Sequence, residues 1–190
     1  MIATLLLAAG ASSRMGGRDK LLEDVGGAPL LQVMADRALS VGPTYVTVPS
    51  LSHKRNAILP AAVQVIVVDG QMSDSIKAGI ASLPVATTGV LILPADMPDI
   101  TANDLALIGS AARQSDAPIL RAMTEDGRPG HPTYFAASQF DDLSTITGDR
   151  GASGLLAGRT ADIEFVALQG DRARLDLDTP QDWDAYRARS

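Results

Sequence analysis

The chain has no cysteine, which excludes disulfides, thiolate zinc sites and a cysteine nucleophile. Histidine is nearly as scarce: only His53 and His131 are present, and a lone histidine is more often structural than catalytic. No apolar run reaches membrane-spanning length, and Met1 leads straight into apolar residues without the basic stretch of a signal peptide. Excess positive charge is missing too. A formal net charge of −6 argues against broad binding to nucleic acid or anionic membranes. Internal repeats, low-complexity tracts and long linkers are also absent. With 190 residues, 46% hydrophobic and 20% charged, one substantial core is expected and two comfortable domains are not. The expectation is therefore a single domain over residues 1–190, soluble and cytoplasmic, with no nucleic-acid or membrane partner.

What the chain does have is a set of short runs rich in Val, Ile and Leu, at residues 2–8, 44–48, 63–68 and 90–93. Their near-continuous hydrophobicity suits parallel strands buried on both faces. Between them lie predicted helices. One starts at Pro29, turns Leu30, Val33, Met34 and Ala38 inward and stops at Gly42. Another starts near Ser73, taken as its N-cap, and a third near Thr101, with Asp104 in its first turn. Further apolar pieces fall at 119–123 and 133–135, strands are expected at 163–168 and 173–177, and a last helix at 180–186. This βαβα order predicts an α/β fold with a mostly parallel sheet and helices on both faces.

The first run empties into Ala9-Gly10-Ala11-Ser12-Ser13-Arg14-Met15-Gly16-Gly17-Arg18-Asp19-Lys20. Small residues let backbone N–H groups approach a ligand, and three cations lie where a polyphosphate would. The first charged residues of an acidic chain are thus Arg14 and Arg18, which marks an anion site against a glycine-rich surface turn. The string fits neither the P-loop, which needs G-x-x-x-x-G-K-[ST], nor the dinucleotide fingerprint, which needs G-x-G-x-x-G.

Leu91-Ile92-Leu93-Pro94-Ala95-Asp96-Met97-Pro98 ends a strand in an aspartate between two prolines, which stiffen the turn. An acid delivered to the carboxyl end of a parallel strand, beside a phosphate loop, is the hard oxygen ligand that Mg²⁺ requires. Asp176-Leu177-Asp178-Thr179-Pro180-Gln181-Asp182 forms a second acidic cluster. Strand alternation would set Asp176 and Asp178 on one face, while Asp178 or Thr179 could cap the helix opened by Pro180. Asp69-Gly70-Gln71-Met72-Ser73 opens a helix whose free N–H groups suit a nucleotide edge. Arg128-Pro129-Gly130-His131-Pro132 is a rigid turn able to present His131, and Gly148-Asp149-Arg150-Gly151-Ala152 is a second small-residue loop.

In order and over nearly the whole chain, these motifs resemble the MobA-like nucleotidyltransferases. Residues 7–16 and Lys20 match L-A-[AG]-G-x-S-x-R-M-G with its trailing lysine, and 96–98 match D-M-P. Residues 178–182 are similar to the acid-T-P-[EQ]-[DE] segment, and 70–75 to G-M-S-x-S, here with Gln71 inserted. The histidine turn resembles G-[NH]-P-x-x-F. The small loop resembles G-D-x-G-A-R, with Ser153 in place of the arginine, so that one acceptor-binding cation is missing or supplied by Arg150. The resemblance implies a single-domain, Rossmann-like nucleotidyltransferase fold and a molybdenum cofactor nucleotidyltransferase. Leu7-Ala8-Ala9-Gly10 resembles its cytidylyl branch, where the guanylyl branch reads Leu-Ala-Gly-Gly.

It further implies Mg²⁺-dependent transfer of CMP from CTP to the terminal phosphate of molybdopterin or molybdenum cofactor, for a client molybdoenzyme of the xanthine dehydrogenase type. Carried over residue by residue, Arg14, Lys20 and Asp96 would be catalytic. Leu7, Ala8, Ala9, Gly10, Ser12, Arg14, Lys20, Asp69, Ser73 and Asp96 would bind nucleotide. His131, Asp149 and Arg150 would border the acceptor, and Asp96 and Asp178 would hold the metal. Two alternatives stand beside this: a guanylyl- or sugar-phosphate-directed transferase, and a catalytically idle nucleotide-binding module or cofactor chaperone.

Overall fold

In the computed structural model, which describes residues 1–189, the chain opens with β1 (Ile2–Leu7). A small hairpin of β2 (Asp24–Val25) and β3 (Ala28–Pro29) leads into α1 (Leu30–Leu39). There follow β4 (Thr44–Val48), α2 (Lys54–Ala57), β5 (Gln64–Val67), α3 (Met72–Ala81), β6 (Gly89–Pro94) and α4 (Ala102–Gln114). The second half supplies β7 (Ile119–Met123), β8 (Pro129–Ala136), α5 (Phe140–Thr145), α6 (Ser153–Ala157), β9 (Ile163–Ala167) and α7 (Pro180–Arg187). Ser190, included in the expected domain, lies outside the described residues.

Among the described residues, seven strands form one sheet in the order β5-β4-β1-β6-β8-β7-β9. β1 pairs in parallel with β4 on one side and β6 on the other. The crossovers therefore leave β1 in opposite directions, and a crevice opens at the carboxyl ends of β1 and β6, where ligands sit in such sheets. β8 is the one antiparallel member, paired with β6 and β7. Because β8 reverses, β7 runs parallel to β6, and its carboxyl end faces the same edge as the crevice.

The near-continuous apolar runs bury both faces. Leu6 joins Leu31, Met34 and Val46 on the face covered by α1, whereas Leu5 joins Tyr45, Ile76 and Ile80 on the face covered by α3. Each such leucine contributes about 1.5–3 kcal/mol on burial. Gly79 lets α3 press onto β1: a Cβ there would come within 2.3 Å of Leu5 Cδ2. On α7, Trp183 is fully buried in the first cluster, which pins the segment just before it.

Two expectations need correction. Residues 173–177 form no strand. Arg174 and Leu175 donate their N–H groups to Asp171 O in a turn, and the backbone of the segment meets the sheet in isolated bonds, from His131 N to Ala173 O (2.7 Å) and from Leu177 N to Asp96 O (3.1 Å). It crosses the strand ends instead of lying along an edge, since β9 already pairs with β7. Ser73 is not the N-cap of α3: Gln71 holds that position, its N–H donating to Asp74 Oδ2 at 2.9 Å, and Ser73 is buried inside the first turn.

Candidate active site

The loop after β1 is held from behind by Arg55, whose side chain is 2% exposed. Its Nη1 donates to Ala8 O (2.6 Å) and Gly10 O (2.7 Å), and its Nη2 to Ser12 Oγ (3.0 Å) and Asp19 Oδ1 (2.7 Å). Nε donates to Asp19 Oδ2 at 2.8 Å, so all five donors of the guanidinium are used. These bonds hold Ser12 in a left-handed conformation, φ 51°, which costs a non-glycine residue about 1–3 kcal/mol. Burial disfavours the Asp19 carboxylate, but Arg55 outweighs that and keeps it below the usual carboxylate range. Asp19 in turn accepts from Leu21 N at 3.1 Å and starts the short helical turn that begins at Lys20.

Lys20 draws the distant acids together. Its ammonium bonds to Asp96 Oδ2 and, at 2.6 Å, to Asp178 Oδ1, partners 76 and 158 residues along the chain. Burial opposes the charge on Lys20, yet Asp96 and Asp178 together raise its basicity above the ordinary lysine value. Arg14, largely exposed, pairs with Asp178 Oδ2 at 2.7 Å. Asp178 is free to do this because Thr179 and Asp182 cap α7: Thr179 Oγ1 accepts from Asp182 N (3.2 Å), and Asp182 Oδ2 accepts from Thr179 N (2.8 Å). Asp96 Oδ1 is buried with no protein partner. Two carboxylates, one with an orphaned oxygen, suit a hard divalent cation whose remaining ligands are water and substrate phosphates. No group of three or more His, Cys, Asp or Glu able to hold a metal occurs among the described residues.

Two clefts meet at Lys20 and Asp96. One, of about 470 Å³, is lined by Leu7, Ala8, Ala9 and Gly10 of the first loop and by Gln71, Met72, Ser75 and Asp149. The other, of about 430 Å³, is lined by Arg14, Asp176, Asp178, His131, Arg121 and Arg174. The residues assigned from the sequence divide between them. Ser12 turns to the back of its loop beside Arg55. Ser73 is buried, Asp69 is exposed, and neither lines either cleft. Asp149 sits on the first-loop side, because Ser73 N donates to Gly148 O (3.3 Å) and docks that segment on α3. His131 lies across the site, and Arg150 lines neither cleft. The group assigned to the acceptor is therefore split.

Asp176 was noted only as a strand neighbour of Asp178; burial first, and then the charges of Asp96 and Asp178, push its pKa up. Burial and the Arg121 charge push His131 down to about 4, so it is neutral near pH 7. Arg55, Arg121 and Arg174 were not anticipated. Arg121 carried a signal, a lone charge inside the apolar run Ile119-Leu120-Arg121-Ala122-Met123. Arg55 carried none, since it lies on a four-residue helix outside every motif.

An open α/β sheet with a small-residue loop, a lysine and two acids at its switch point defines a nucleotidyltransferase-type site. The MobA-like NTP transferase domain matches residues 4–163, and the chain belongs to that family. It is 28% identical to a probable molybdenum cofactor guanylyltransferase of Rhodopirellula baltica, over 94% of this chain and 88% of that protein. A molybdenum cofactor guanylyltransferase of Serratia proteamaculans is 30% identical over 70% of this chain and 65% of its own length. Among solved structures, Rv0371c of Mycobacterium tuberculosis superposes with a TM-score of 0.85 at 27% identity, covering 98% of this chain and 96% of that one. A manganese complex of Rv0371c superposes at 0.83 with 24% identity, covering 97% and 96%. The chain is thus a nucleotidyltransferase, and no helix among its described residues is long and apolar enough to cross a membrane.

Proposed function

We propose that this enzyme transfers CMP from CTP to the terminal phosphate of molybdopterin or molybdenum cofactor, releasing pyrophosphate. The observation that carries the reading is the convergence of Lys20, Asp96 and Asp178 where the two clefts join. The nucleotide lies along the Leu7–Gly10 side, and the acceptor enters from the His131 side. An acceptor phosphate oxygen, already ionised near neutral pH, attacks the α-phosphorus; the bond to the β-phosphate breaks and its electron pair leaves with pyrophosphate. No strong general base is needed, so the chain positions the reactants and neutralises charge. Lys20 exchanges its carboxylate partners for phosphate oxygens, and Arg14 follows the departing pyrophosphate. Asp96 and Asp178 would hold Mg²⁺, which would supply charge stabilisation on the phosphoryl oxygens.

The choice of CTP rests on Ala9, whose methyl group narrows the cleft where a second glycine would leave room for a purine edge. A second reading, transfer of GMP, is favoured by the names of the two curated relatives. Pyrophosphate release from CTP, GTP, ATP and UTP, with and without molybdopterin and Mg²⁺, decides between them. Acceptor- and metal-dependent turnover with CTP is expected; turnover with GTP alone selects the second reading, and nucleotide binding without turnover leaves a binding module.

A further inference from the structure

The cleft on the His131 side contains two guanidinium groups, those of Arg121 and Arg174, that form no ion pair among the described residues. Arg121 Nε donates to Gly130 O at 3.0 Å, and Arg174 Nη1 donates to Pro129 O at 2.9 Å. Both bonds go to neutral carbonyls of the same turn. Among the described residues neither arginine has a carboxylate within ion-pair distance, whereas Arg14, which lines the same cleft, pairs with Asp178. The two are close enough that burial and then the Arg174 charge lower the basicity of Arg121. Arg121 is half-buried and Arg174 exposed, and a second positive charge beside the half-buried one is a cost that a bound anion would relieve.

The fold enforces the juxtaposition. Gly130 touches the 173–174 backbone so closely that a Cβ would fall 1.9 Å from Ala173 O, and His131 N donates to that same oxygen. Of the acids lining the cleft, Asp96 and Asp178 face Lys20 and Asp178 also pairs with Arg14, while Asp176 forms no ion pair with either arginine among the described residues. His131 is neutral near pH 7 and adds no charge. The cation expected at Ser153 or Arg150 is absent from this cleft.

We infer that Arg121 and Arg174 form a two-armed clamp for the phosphate monoester of the acceptor, separate from the groups that hold the nucleotide triphosphate. The inference rests on the proposed transfer reaction and assigns its acceptor subsite to residues outside every motif. Guanidinium forks match a dianionic phosphate in geometry and charge. Gripping the acceptor phosphate from β7 and from the 173–177 segment leaves one of its oxygens directed at the junction beside Lys20 and Asp96.

Arg121→Gln, Arg174→Gln and the double variant test this, with thermal unfolding to verify that each remains folded and Arg→Lys versions as charge-conserving controls. Each single variant is expected to raise the KM for molybdopterin about 10–100-fold with kcat at saturation little changed. The double variant should rise further. The Kd for CTP or GTP measured without acceptor should not move. Calorimetric titration of phenyl phosphate should show binding to the wild type and loss in the double variant, and inorganic phosphate, titrated separately, should bind more weakly than the ester. A parallel rise in nucleotide Kd would assign the pair to the triphosphate and overturn the inference, as would an unchanged KM for molybdopterin. Inorganic phosphate binding as tightly as the ester would overturn the monoester assignment. If the wild type turns over molybdopterin with no nucleotide, the proposed reaction falls and phenyl phosphate alone decides. Binding lost in the double variant then sustains the clamp, and equal binding or none removes it.

Discussion

The two halves of the site are built on opposite principles. Behind the first loop every donor of Arg55 meets an acceptor and Asp19 is bonded on both oxygens, so the loop is complete before any ligand arrives. Across the junction, Asp96 Oδ1 and His131 Nδ1 are buried without protein partners, and Arg121 and Arg174 lack counter-charges. A fully bonded buried network is rigid, whereas an unsatisfied one is held in place by the surrounding fold and awaits a ligand. Stability is therefore concentrated on the loop side, and unspent binding capacity on the other.

The sharpest way to break this contrast is Arg55→Ala. It strands two carbonyls and the Asp19 carboxylate, and loss of one partner of a buried ion pair costs about 3–5 kcal/mol. Urea unfolding should show that loss, together with weakened triphosphate binding. A variant as stable as wild type would mean that the loop does not depend on its anchor. Asp96→Asn should act on the other side. It takes one carboxylate from the Lys20 ammonium and leaves Asp178 as its partner, so a smaller stability loss than that of Arg55→Ala is expected, while turnover falls on the order of 10²-fold or more. Near-wild-type rates would remove Asp96 from the metal site.

Acid should separate the halves as well. In the unfolded chain His131 protonates near 6.5, but in the fold only near 4, so the unfolded state binds more protons between those values. Its contribution, roughly 1–3 kcal/mol, is present above pH 6.5 and lost as pH falls towards 4. Asp19 behaves as a depressed acid: its contribution is present above the ordinary aspartate value of 3.8 and is lost only as pH falls below it. Unfolding midpoints from pH 7 to pH 3 should then show that His131→Gln flattens the upper limb and Asp19→Asn the lower one. Coincident losses in both variants would mean that the two regions titrate as one.

The smallest effect is expected at Ala9, in the rigid half. Ala9→Gly should shift the ratio of kcat/KM for CTP and GTP towards GTP, by no more than about 10–200-fold. A wild type that already prefers GTP would overturn the cytidylyl proposal. An unchanged ratio in a CTP-preferring enzyme would overturn only the role of the methyl group.

Local chemistry was legible from the residues alone. The apolar runs at 2–8, 44–48 and 90–93 are strands within a residue or two, because burial on both faces leaves them no other periodicity. Lys20, Asp96 and Asp178 each lie in a motif whose own turn or cap orients it, and the Thr179–Asp182 cap that releases Asp178 is written in four consecutive positions. Side-chain direction survived even an incorrect element. Residues 173–177 are no strand, yet Leu177 is buried while Asp176 and Asp178 reach the cleft, the alternation expected of them.

What only tertiary structure decided are the pairings between groups far apart in the chain. Arg55 acquires its meaning from Ala8, Gly10 and Asp19, between 36 and 47 residues away. Arg121 and Arg174 meet because β8 reverses direction and Gly130 admits Ala173 against it. No local pattern records such contacts, because the free energy that makes them comes from packing the sheet and its helices, whereas a motif encodes only the backbone it sits on. The residues assigned to the acceptor, His131, Asp149 and Arg150, accordingly do not share one cleft: His131 lines one, Asp149 the other and Arg150 neither. A short loop's composition states what it can bind, but the crossovers of the sheet determine which cleft it reaches.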